Sequence, residues 1–326
     1  MAAFKCQLLS ASSSRIPLLL FLALLCTVFL LLDSDTDFPG SLPSKLNDTV
    51  HIPQESIDYV KFSILPYAQS AFCPFSQLEQ WNCTTCVKGS LGTTNITTFG
   101  GTAFKASGYT AFNPSTNTII VAFRGSSTLD TWISDLLIAK PDYDLPAAPP
   151  GTKVHFGFLT LHSLGGALAT IAAVDVFQHL ADIISPSQIA LLTFGQPRVG
   201  NPTFAAWVNS FHFTRSIRVT NQNDWTPHLP PHFSGFKHFT EEWWIVNDEG
   251  VTLECWDDNG IEEPDVSVAV VEQQGGIPVG WPWKRKPVRE GREPQCRDRW
   301  NGMYTVSKHA WVWNEPIGFH VCLPVP

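Results

Sequence analysis

Short apolar runs alternate with longer helical segments through the middle of the chain. Three runs rich in β-branched residues, Thr118–Ser126, Ile189–Pro197 and Ser216–Asp224, end in glycine, proline or polar residues, which predicts buried strands. An alanine-rich segment, Leu164–Leu180, and the stretch Pro202–Phe211 lie between these runs and predict helices. Strands that alternate with helices favour an α/β fold, with a mostly parallel central sheet flanked by helices.

The first residues have the pattern of a targeting segment. Lys5 and Arg15 precede an uninterrupted apolar run, Ile16–Leu32, and a polar stretch follows. The run has 17 residues, which is long for a cleaved signal and short for a spanning helix, and no clear Ala-x-Ala site follows it. We favour a signal peptide and secretion; the alternative is a membrane anchor that keeps the rest outside the cytosol. The predicted division is 1–33 for this segment and 34–326 for one domain without internal repeats.

Composition and charge exclude other classes of protein. The chain has 326 residues, of which 44% are hydrophobic and 15% charged, as is typical of a folded domain and not of a disordered chain. The net charge of −8 argues against a nucleic-acid partner. The one basic run, Lys284–Arg292, is short and is interpreted as a solvated loop.

The cysteines indicate an oxidising compartment. Cys6 and Cys26 lie in the targeting segment, and the remaining six, an even number, predict three disulfides. The spacing Cys83-x-x-Cys86 could also belong to a metal or redox site, but no second pair with zinc spacing exists, so we expect no metal and no cofactor. Sequons that fit secretion begin at Asn47, Asn82 and Asn95.

Residues that could form a serine hydrolase site fall where α/β folds place catalytic groups, at the carboxyl ends of strands. Ser126 follows the first predicted strand, Ser163 precedes the helix that begins at Leu164, Asp224 follows the third strand, and His309 lies in the C-terminal part. The order serine, aspartate, histidine is that of the α/β-hydrolases. A serine hydroxyl needs a histidine to take its proton and a carboxylate to orient that histidine, and the oxyanion needs fixed N–H donors, one of which Leu164 would supply.

Four sequence blocks resemble the fungal-type class 3 lipases, a family that includes feruloyl esterases. The blocks are VAFRGSSTLDTW, HSLGGALA, TFGQPRVGN and RVTNQNDWTPHLPP, in the family's order, and the similarity covers roughly Ile57–Glu254 and the C-terminal end. The resemblance implies an α/β-hydrolase-type fold, with Ser163 as nucleophile, Asp224 as orienting acid, and the N–H groups of Ser126 and Leu164 as oxyanion donors. It also implies three disulfides, which are Cys73–Cys322, Cys83–Cys86 and Cys255–Cys296.

The identity of the base is a choice among ten histidines. His309 lies in SKHAWVW, which resembles the family's histidine block, and it is the residue we predict. His320 is the other C-terminal candidate, but it is two residues from Cys322, too near an expected disulfide. His162 is interpreted as structural. Three further histidines follow Asp224 in a proline-rich turn and the stretch after it: His228, His232 and His238.

The segment after Ser126, about residues 127–137, is predicted to be a lid helix. Its apolar side chains recur at i, i+3, i+4 and i+7, so they form one stripe. They are Leu129, Trp132, Ile133 and Leu136. A lid with a tryptophan on its apolar face suits a site that opens at a lipid–water interface. The alternative is an ordinary amphipathic surface helix; the position beside the FRGS block favours the lid.

The chain departs from the family pattern in front of the nucleophile. The block GTKVHFGFL is followed almost at once by HSLGG, where the resemblance implies a crossover helix and a strand. This predicts that roughly thirty or more residues are absent, namely the crossover helix and most of the central strand. Leu161 also stands where the elbow normally has a small residue. We interpret this as an omission; the alternative is a rebuilt elbow in which Val154–Leu161 serves as the nucleophile strand.

A second departure is an atypical insertion of about residues 257–295, between Cys255 and Cys296. It has little periodicity and no visible chemistry, so it is either a translated intron or a real surface insertion. Together the patterns predict a secreted, monomeric ester hydrolase, most simply a triacylglycerol lipase that acts through an acyl-enzyme. The alternatives are a feruloyl or soluble-ester esterase, and a catalytically inactive truncated form.

Overall fold

The computed structural model describes residues 50–88, 92–100, 107–125, 148–154, 164–239, 241–255, 304–305, 307–318 and 322. Several predicted features lie outside these residues. They are the targeting segment, Ser126, the lid, Leu161, His162, Ser163, the 257–295 insertion, Cys296 and His320. In the described ranges, no helix has both the length and the apolar character needed to cross a membrane.

The N-terminal part is helical. Its elements are α1 (Gln54–Tyr59), a π-helical segment (Val60–Ile64), α2 (Leu65–Ser70), α3 (Phe75–Glu79) and α4 (Thr84–Lys88). Prolines mark three of the helix starts: Pro53 precedes α1, Pro66 lies in the first turn of α2, and Pro74 precedes α3. The first turn of a helix needs no backbone N–H donor, so proline is tolerated there and fixes where the helix begins.

A three-stranded antiparallel sheet follows. Its order is β2 (Thr94–Gly100), β3 (Ser107–Asn113) and β4 (Thr118–Phe123). The run at β4 is a strand, as predicted, but the expectation that it is buried is wrong. Ile119 is 75% exposed and Val121 is 45% exposed, and because they are alternate residues they lie on one face of the strand. In the described chain β4 is an edge strand, and this face is not covered.

A five-stranded sheet forms the rest of the scaffold, in the order β1-β8-β7-β6-β5. Its strands are β1 (Val50–His51), β5 (Ala190–Phe194), β6 (Arg215–Asn221), β7 (Glu242–Ile245) and β8 (Thr252–Cys255). β5, β6 and β7 are parallel neighbours, whereas β7–β8 and β8–β1 are antiparallel. The second and third predicted strands are thus adjacent and parallel, and every residue of β6 is buried, as expected for a central strand.

Helices cover both faces of this sheet. On one face lie α5 (Leu164–Leu180), which has the predicted bounds, and α6 (Pro202–Ser210). These helices share a hydrophobic core with β5. The buried residues of this core include Ala167, Val174, Leu191, Phe204 and Val208. On the other face, α1 to α2 and the hairpin β9 (Trp311–Val312) and β10 (Glu315–Pro316) pack over β6 and β7. The α/β fold class, with its parallel strands between helices, is confirmed.

Two of the three predicted disulfides are present. Cys83 is bonded to Cys86, and Cys73 is bonded to Cys322, a residue 249 positions away. Cys255 is buried at the end of β8, and its predicted partner lies outside the described residues. The longer bond joins the helical N-terminal part to the end of the chain, where cross-linking restricts the unfolded chain most.

The two sheets meet at the amino end of α5, which packs against both β4 and β5. A Cβ at Gly165 would lie 2.7 Å from the carbonyl oxygen of Phe123, and one at Gly166 would lie 3.0 Å from Cβ of Gln196. In the described chain β4 and β5 each pair on one edge only. The unpaired edges of β4 and β5 face the place where the sequence predicts the omitted strand. The omission itself stays a prediction.

Gly165→Ala is therefore expected to destabilise the protein by about 1–3 kcal/mol, because the added methyl meets backbone atoms of the Phe123–Gly125 segment that cannot move aside. Glycine-to-alanine exchange inside a helix normally has the opposite sign, stabilising by roughly 0.5–1 kcal/mol. Urea unfolding of the exchange variant measures the free energy. Ala172→Gly, in the same helix, is the control, and its free energy of unfolding should fall only by the difference in helix propensity between alanine and glycine, about 1 kcal/mol. A Gly165→Ala variant more stable than the parent protein would contradict this packing.

Candidate active site

Asp224 lies in the turn after β6, at the carboxyl end of the central strand. It is 1% exposed, and both of its carboxylate oxygens have partners. The backbone N–H of Thr226 donates to Oδ1 at 2.9 Å, and Nδ1 of His309 lies 2.9 Å from Oδ2. A buried carboxylate that accepts hydrogen bonds at both oxygens is fixed in orientation. The structure therefore brings together two of the three residues predicted for the triad.

His309 lies in a short 3₁₀ turn, Ser307–Ala310, immediately before β9. Its side chain is 21% exposed, so one edge of the ring faces the buried carboxylate while part of the ring reaches the surface. Because Nδ1 faces Asp224, Nε2 lies on the opposite side of the ring. Nε2 is the nitrogen that accepts a proton from a serine in triads of this geometry.

The turn that carries His309 is tied to the turn that carries Asp224 by backbone pairing. Trp225 donates its N–H to the carbonyl oxygen of Thr305 at 3.1 Å, and Thr305 donates to the carbonyl oxygen of Asn223 at 2.9 Å. The 257–295 insertion lies upstream of this pairing, and His309 reaches the Asp224 turn all the same. Among the other histidines described, Nε2 of His238 is hydrogen-bonded to the carbonyl oxygen of Pro227, and the ring of His228 packs on Tyr304.

Gly195, directly after β5, packs against the imidazole of His309. The sequence did not predict this role. Its φ of +60° is in the left-handed region, and its N–H donates to the carbonyl oxygen of Val219 at 2.9 Å. A Cβ built on Gly195 would lie 2.7 Å from Cε1 of His309 and 3.3 Å from Oδ2 of Asp224. Only glycine fits both the backbone conformation and the approach of the ring. The glycine that ends the run TFG was the available signal.

An exposed charged cluster lies beside the His309 turn. Asp248 accepts hydrogen bonds at Oδ1 from Nε2 of Gln222 at 2.7 Å and from Nζ of Lys308 at 2.9 Å. These two hydrogen bonds, the one from Gln222 first, and the charge of Lys308 lower the pKa of the Asp248 carboxyl. In the same described ranges, histidine, cysteine, aspartate and glutamate side chains form no cluster of three or more that could hold a metal ion.

The predicted nucleophile, Ser163, and one predicted oxyanion donor, Ser126, lie outside the described residues. The other predicted donor, Leu164, is the first residue of α5 and directly follows Ser163 in the sequence. The glycines that follow Leu164 fit between the ends of β4 and β5, and Gln196, which packs on Gly166, is the neighbour of Gly195. The amino end of α5 is therefore close in space to Gly195, which packs against the Asp224–His309 pair. A helix amino terminus carries a partial positive charge that favours an oxyanion.

The arrangement has the features of one structural class. Parallel strands lie between helices, an aspartate follows a central strand, and a histidine from the C-terminal part is paired with it. These features define an α/β-hydrolase-type protein.

Comparison with known proteins finds similarity to lipases. Residues 159–234 match the family described as Lipase (class 3). The chain is 35% identical over 222 residues to the lipase of Rhizomucor miehei, an alignment of 59% of this chain and 58% of the relative, and 32% identical over 223 residues to the lipase of Rhizopus niveus. The chain is similar to class 3 lipases over these regions. It spans little more than half the length of these two relatives, 58% and 55%.

Solved lipase structures are similar to this chain over most of its length. The structure of Rhizomucor miehei triacylglyceride lipase superimposes with a TM-score of 0.64 at 26% identity, covering 83% of this chain and 98% of that one. The lipase from Rhizopus microsporus var. chinensis gives a TM-score of 0.68 at 23% identity, covering 88% and 96%, and supports the fold.

Proposed function

We propose that this protein is a serine ester hydrolase that cleaves acylglycerols, with Ser163 as nucleophile, His309 as base and Asp224 as the group that orients His309. The observation that carries the proposal is the 2.9 Å contact between Nδ1 of His309 and Oδ2 of the buried Asp224. A carboxylate in this position holds the imidazole in the tautomer that accepts a proton at Nε2, and it stabilises the imidazolium that forms.

The reaction has two halves. Oγ of Ser163 attacks the ester carbonyl carbon while its proton passes to Nε2 of His309, and the carbonyl electron pair moves onto oxygen, where the N–H groups of Ser126 and Leu164 stabilise it. The bond to the alcohol then breaks as Nε2 returns the proton to the leaving oxygen, and an acyl-serine remains. Water, deprotonated by His309, attacks this ester in the same way and releases the carboxylic acid.

The proposed substrate is a triacylglycerol at a lipid–water interface. The relatives support this choice: a neighbouring structure is a triacylglyceride lipase, and a Fusarium solani relative, 29% identical over 248 residues, is a secreted mono- and diacylglycerol lipase. The apolar stripe of the predicted lid, Leu129, Trp132, Ile133 and Leu136, would face the lipid when the lid opens. A feruloyl or soluble ester is the alternative substrate class.

We further propose that the protein acts outside the cytosol, as a monomer. Two disulfides in the described residues fit an oxidising compartment, and the apolar run Ile16–Leu32 fits a secretory signal. The alternative is an anchor in the same run, which would hold the hydrolase at the outer membrane surface. The two locations differ in whether the mature chain keeps that run.

One observation favours a second candidate function. β4 and β5 are both edge strands in the described chain, and Ile119 of β4 is exposed. A nucleophile strand normally occupies such a position in an α/β-hydrolase. The second candidate is therefore a folded but catalytically inactive member of the family, in which the Asp224–His309 pair persists without a correctly placed serine.

An alkylphosphonate probe distinguishes these candidates, because it reacts with a serine only when a base and an oxyanion hole activate it. Purified protein is labelled, and the modified peptide is identified by mass spectrometry. The proposed function predicts labelling at Ser163 that is lost in His309→Ala. His179→Ala is the matched control, because His179 lies near Asp175 on the exposed surface of α5, with Nδ1 3.4 Å from Oδ1, and it should label like the parent protein.

The opposite result has a definite meaning. If Ser163 stays unlabelled in protein that retains both described disulfides, the hydrolase proposal fails and the inactive candidate replaces it. Where labelling succeeds, hydrolysis rates for emulsified trioleoylglycerol, soluble p-nitrophenyl butyrate and methyl ferulate separate the substrate classes. A lipase prefers the emulsion, whereas a feruloyl esterase prefers the aromatic ester.

A further inference from the structure

Asn221, the last residue of β6, connects the two members of the Asp224–His309 pair. Its side chain is buried, and Nδ2 donates two hydrogen bonds, to the carbonyl oxygen of Lys308 at 3.1 Å and to that of Trp311 at 2.9 Å. One of these carbonyls directly precedes His309, and the other follows it by two residues. A single amide group thus holds the 3₁₀ turn on both sides of the histidine.

The turn depends on such support. A 3₁₀ turn of four residues has few internal hydrogen bonds, and the carbonyl groups at its end need partners from elsewhere. Besides the contact between His309 and Asp224, two contacts of this turn lie at the surface: Ser307 donates its N–H to Oγ1 of Thr305, and Nζ of Lys308 donates to Asp248. The hydrogen bonds from Asn221 are the more buried ones, where an unsatisfied carbonyl is costly.

The main chain of Asn221 also fixes the other member of the pair. Its carbonyl oxygen accepts the backbone N–H of Asp224 at 2.9 Å, which closes the turn that carries the carboxylate. Asn221 itself ends a strand that is paired on both sides and buried along its whole length. The positions of the carboxylate and of the imidazole are therefore both set relative to one residue on a rigid strand.

We infer that Asn221 is a positioning residue for the proposed reaction: its main chain sets Asp224, its side chain sets His309, and together they fix the 2.9 Å contact between them. The inference rests on the proposed function. Asn221 touches neither substrate nor the reacting atoms, and it acts only through the alignment of His309. Its two amide hydrogens are required, because the carbonyl groups of Lys308 and Trp311 can only accept hydrogen bonds.

Asn221→Asp tests the requirement for a donor at constant size, since a carboxylate in place of the amide faces two carbonyl oxygens and donates to neither. The control is Asn314→Asp, because Nδ2 of Asn314 also donates to a backbone carbonyl, that of Asp248, but at the exposed surface and not to the two carbonyls that flank His309. Asn221→Ser, whose hydroxyl is too short to span both carbonyls, is a second variant in case the aspartate variant does not fold.

Two quantities from phosphonate labelling separate positioning from folding. The final amount of label counts folded sites, whereas the rate constant of labelling reports how well the base is aligned. We expect the rate constant and kcat for p-nitrophenyl butyrate to fall about 10–100-fold in Asn221→Asp, with KM changed little, since a displaced catalytic group costs this much. Asn314→Asp should react at the parent rate.

Some outcomes would overturn the inference. A variant that labels at the parent rate but to a lower final amount assigns Asn221 a role in folding only, and the same conclusion follows if neither variant folds at all. The downfield Nδ1–H proton resonance of a histidine held against a carboxylate supplies a readout that does not need activity. If the parent protein fails to label, the proposed function fails, yet loss of this resonance in Asn221→Asp still supports the positioning role, and its persistence refutes it.

Discussion

Asp224→Asn is expected to lower kcat for a soluble ester by about 10³–10⁴-fold while KM changes little, as in other hydrolases in which the triad aspartate becomes asparagine. The backbone N–H of Thr226 requires an acceptor, so the asparagine oxygen takes the place of Oδ1 and the amide nitrogen takes the place of Oδ2, 2.9 Å from Nδ1 of His309. Nδ1 must then accept a hydrogen bond, the ring proton moves to Nε2, and the histidine cannot take a proton from serine.

The measurement is steady-state hydrolysis of p-nitrophenyl butyrate by purified parent and variant proteins. Asp175→Asn is the matched control, because Asp175 faces His179 at the exposed surface of α5 and should leave kcat unchanged. Urea unfolding checks that the variant is folded, since the asparagine keeps the bond to Thr226. A kcat within about tenfold of the parent value, against a triad requirement of about 10³–10⁴, would remove Asp224 from the proposed mechanism.

Gly195→Ala has the second largest expected effect, a loss of about 10²-fold or more in kcat. The new Cβ would lie 2.7 Å from Cε1 and 2.8 Å from Nδ1 of His309, closer than van der Waals contact allows, so the imidazole must move away from Asp224. Alanine at this φ of +60° also strains the backbone, by about 1–2 kcal/mol. Two effects are therefore superimposed, one on stability and one on alignment.

Gly151→Ala separates these two effects. Gly151 has a φ of +82°, so alanine is strained there as well, but a Cβ at this position would have no neighbour within 4 Å. It should lower the free energy of unfolding to a similar degree and leave kcat unchanged. If both glycine variants keep the parent kcat, the alignment of the His309 imidazole does not require the absence of a Cβ at residue 195.

Much of the scaffold could be predicted because its signals are local. The strands β5 and β6, the helix α5 and the aspartate after β6 each follow from a short run of residues and the way it ends. The pairing of Asp224 with His309 was predicted from their order along the chain and from the resemblance of SKHAWVW to the family's histidine block, and the structure places them in contact. The disulfide between Cys73 and Cys322 was implied by the resemblance to the family and is also present.

The role of Asn221 could not be predicted, and that of Gly195 had no signal beyond the glycine that ends TFG, because each role depends on a contact with a distant part of the chain. The amide of Asn221 binds carbonyl groups 87 and 90 positions away, and in the sequence it is a polar residue that merely ends a strand. The burial of β4 was mispredicted for a related reason. An apolar run shows that a strand has a hydrophobic face, but it does not show whether another part of the chain packs on that face.

The bond between Cys73 and Cys322 has a consequence for any cut in the polypeptide. It makes a covalent ring of almost the whole described fold, since the two residues are 249 positions apart and every proposed catalytic residue lies between them. A protease that opens the ring once, for instance within about residues 257–295, releases no fragment. The nicked molecule keeps both halves of its site on one covalent framework, and the two pieces separate only after reduction.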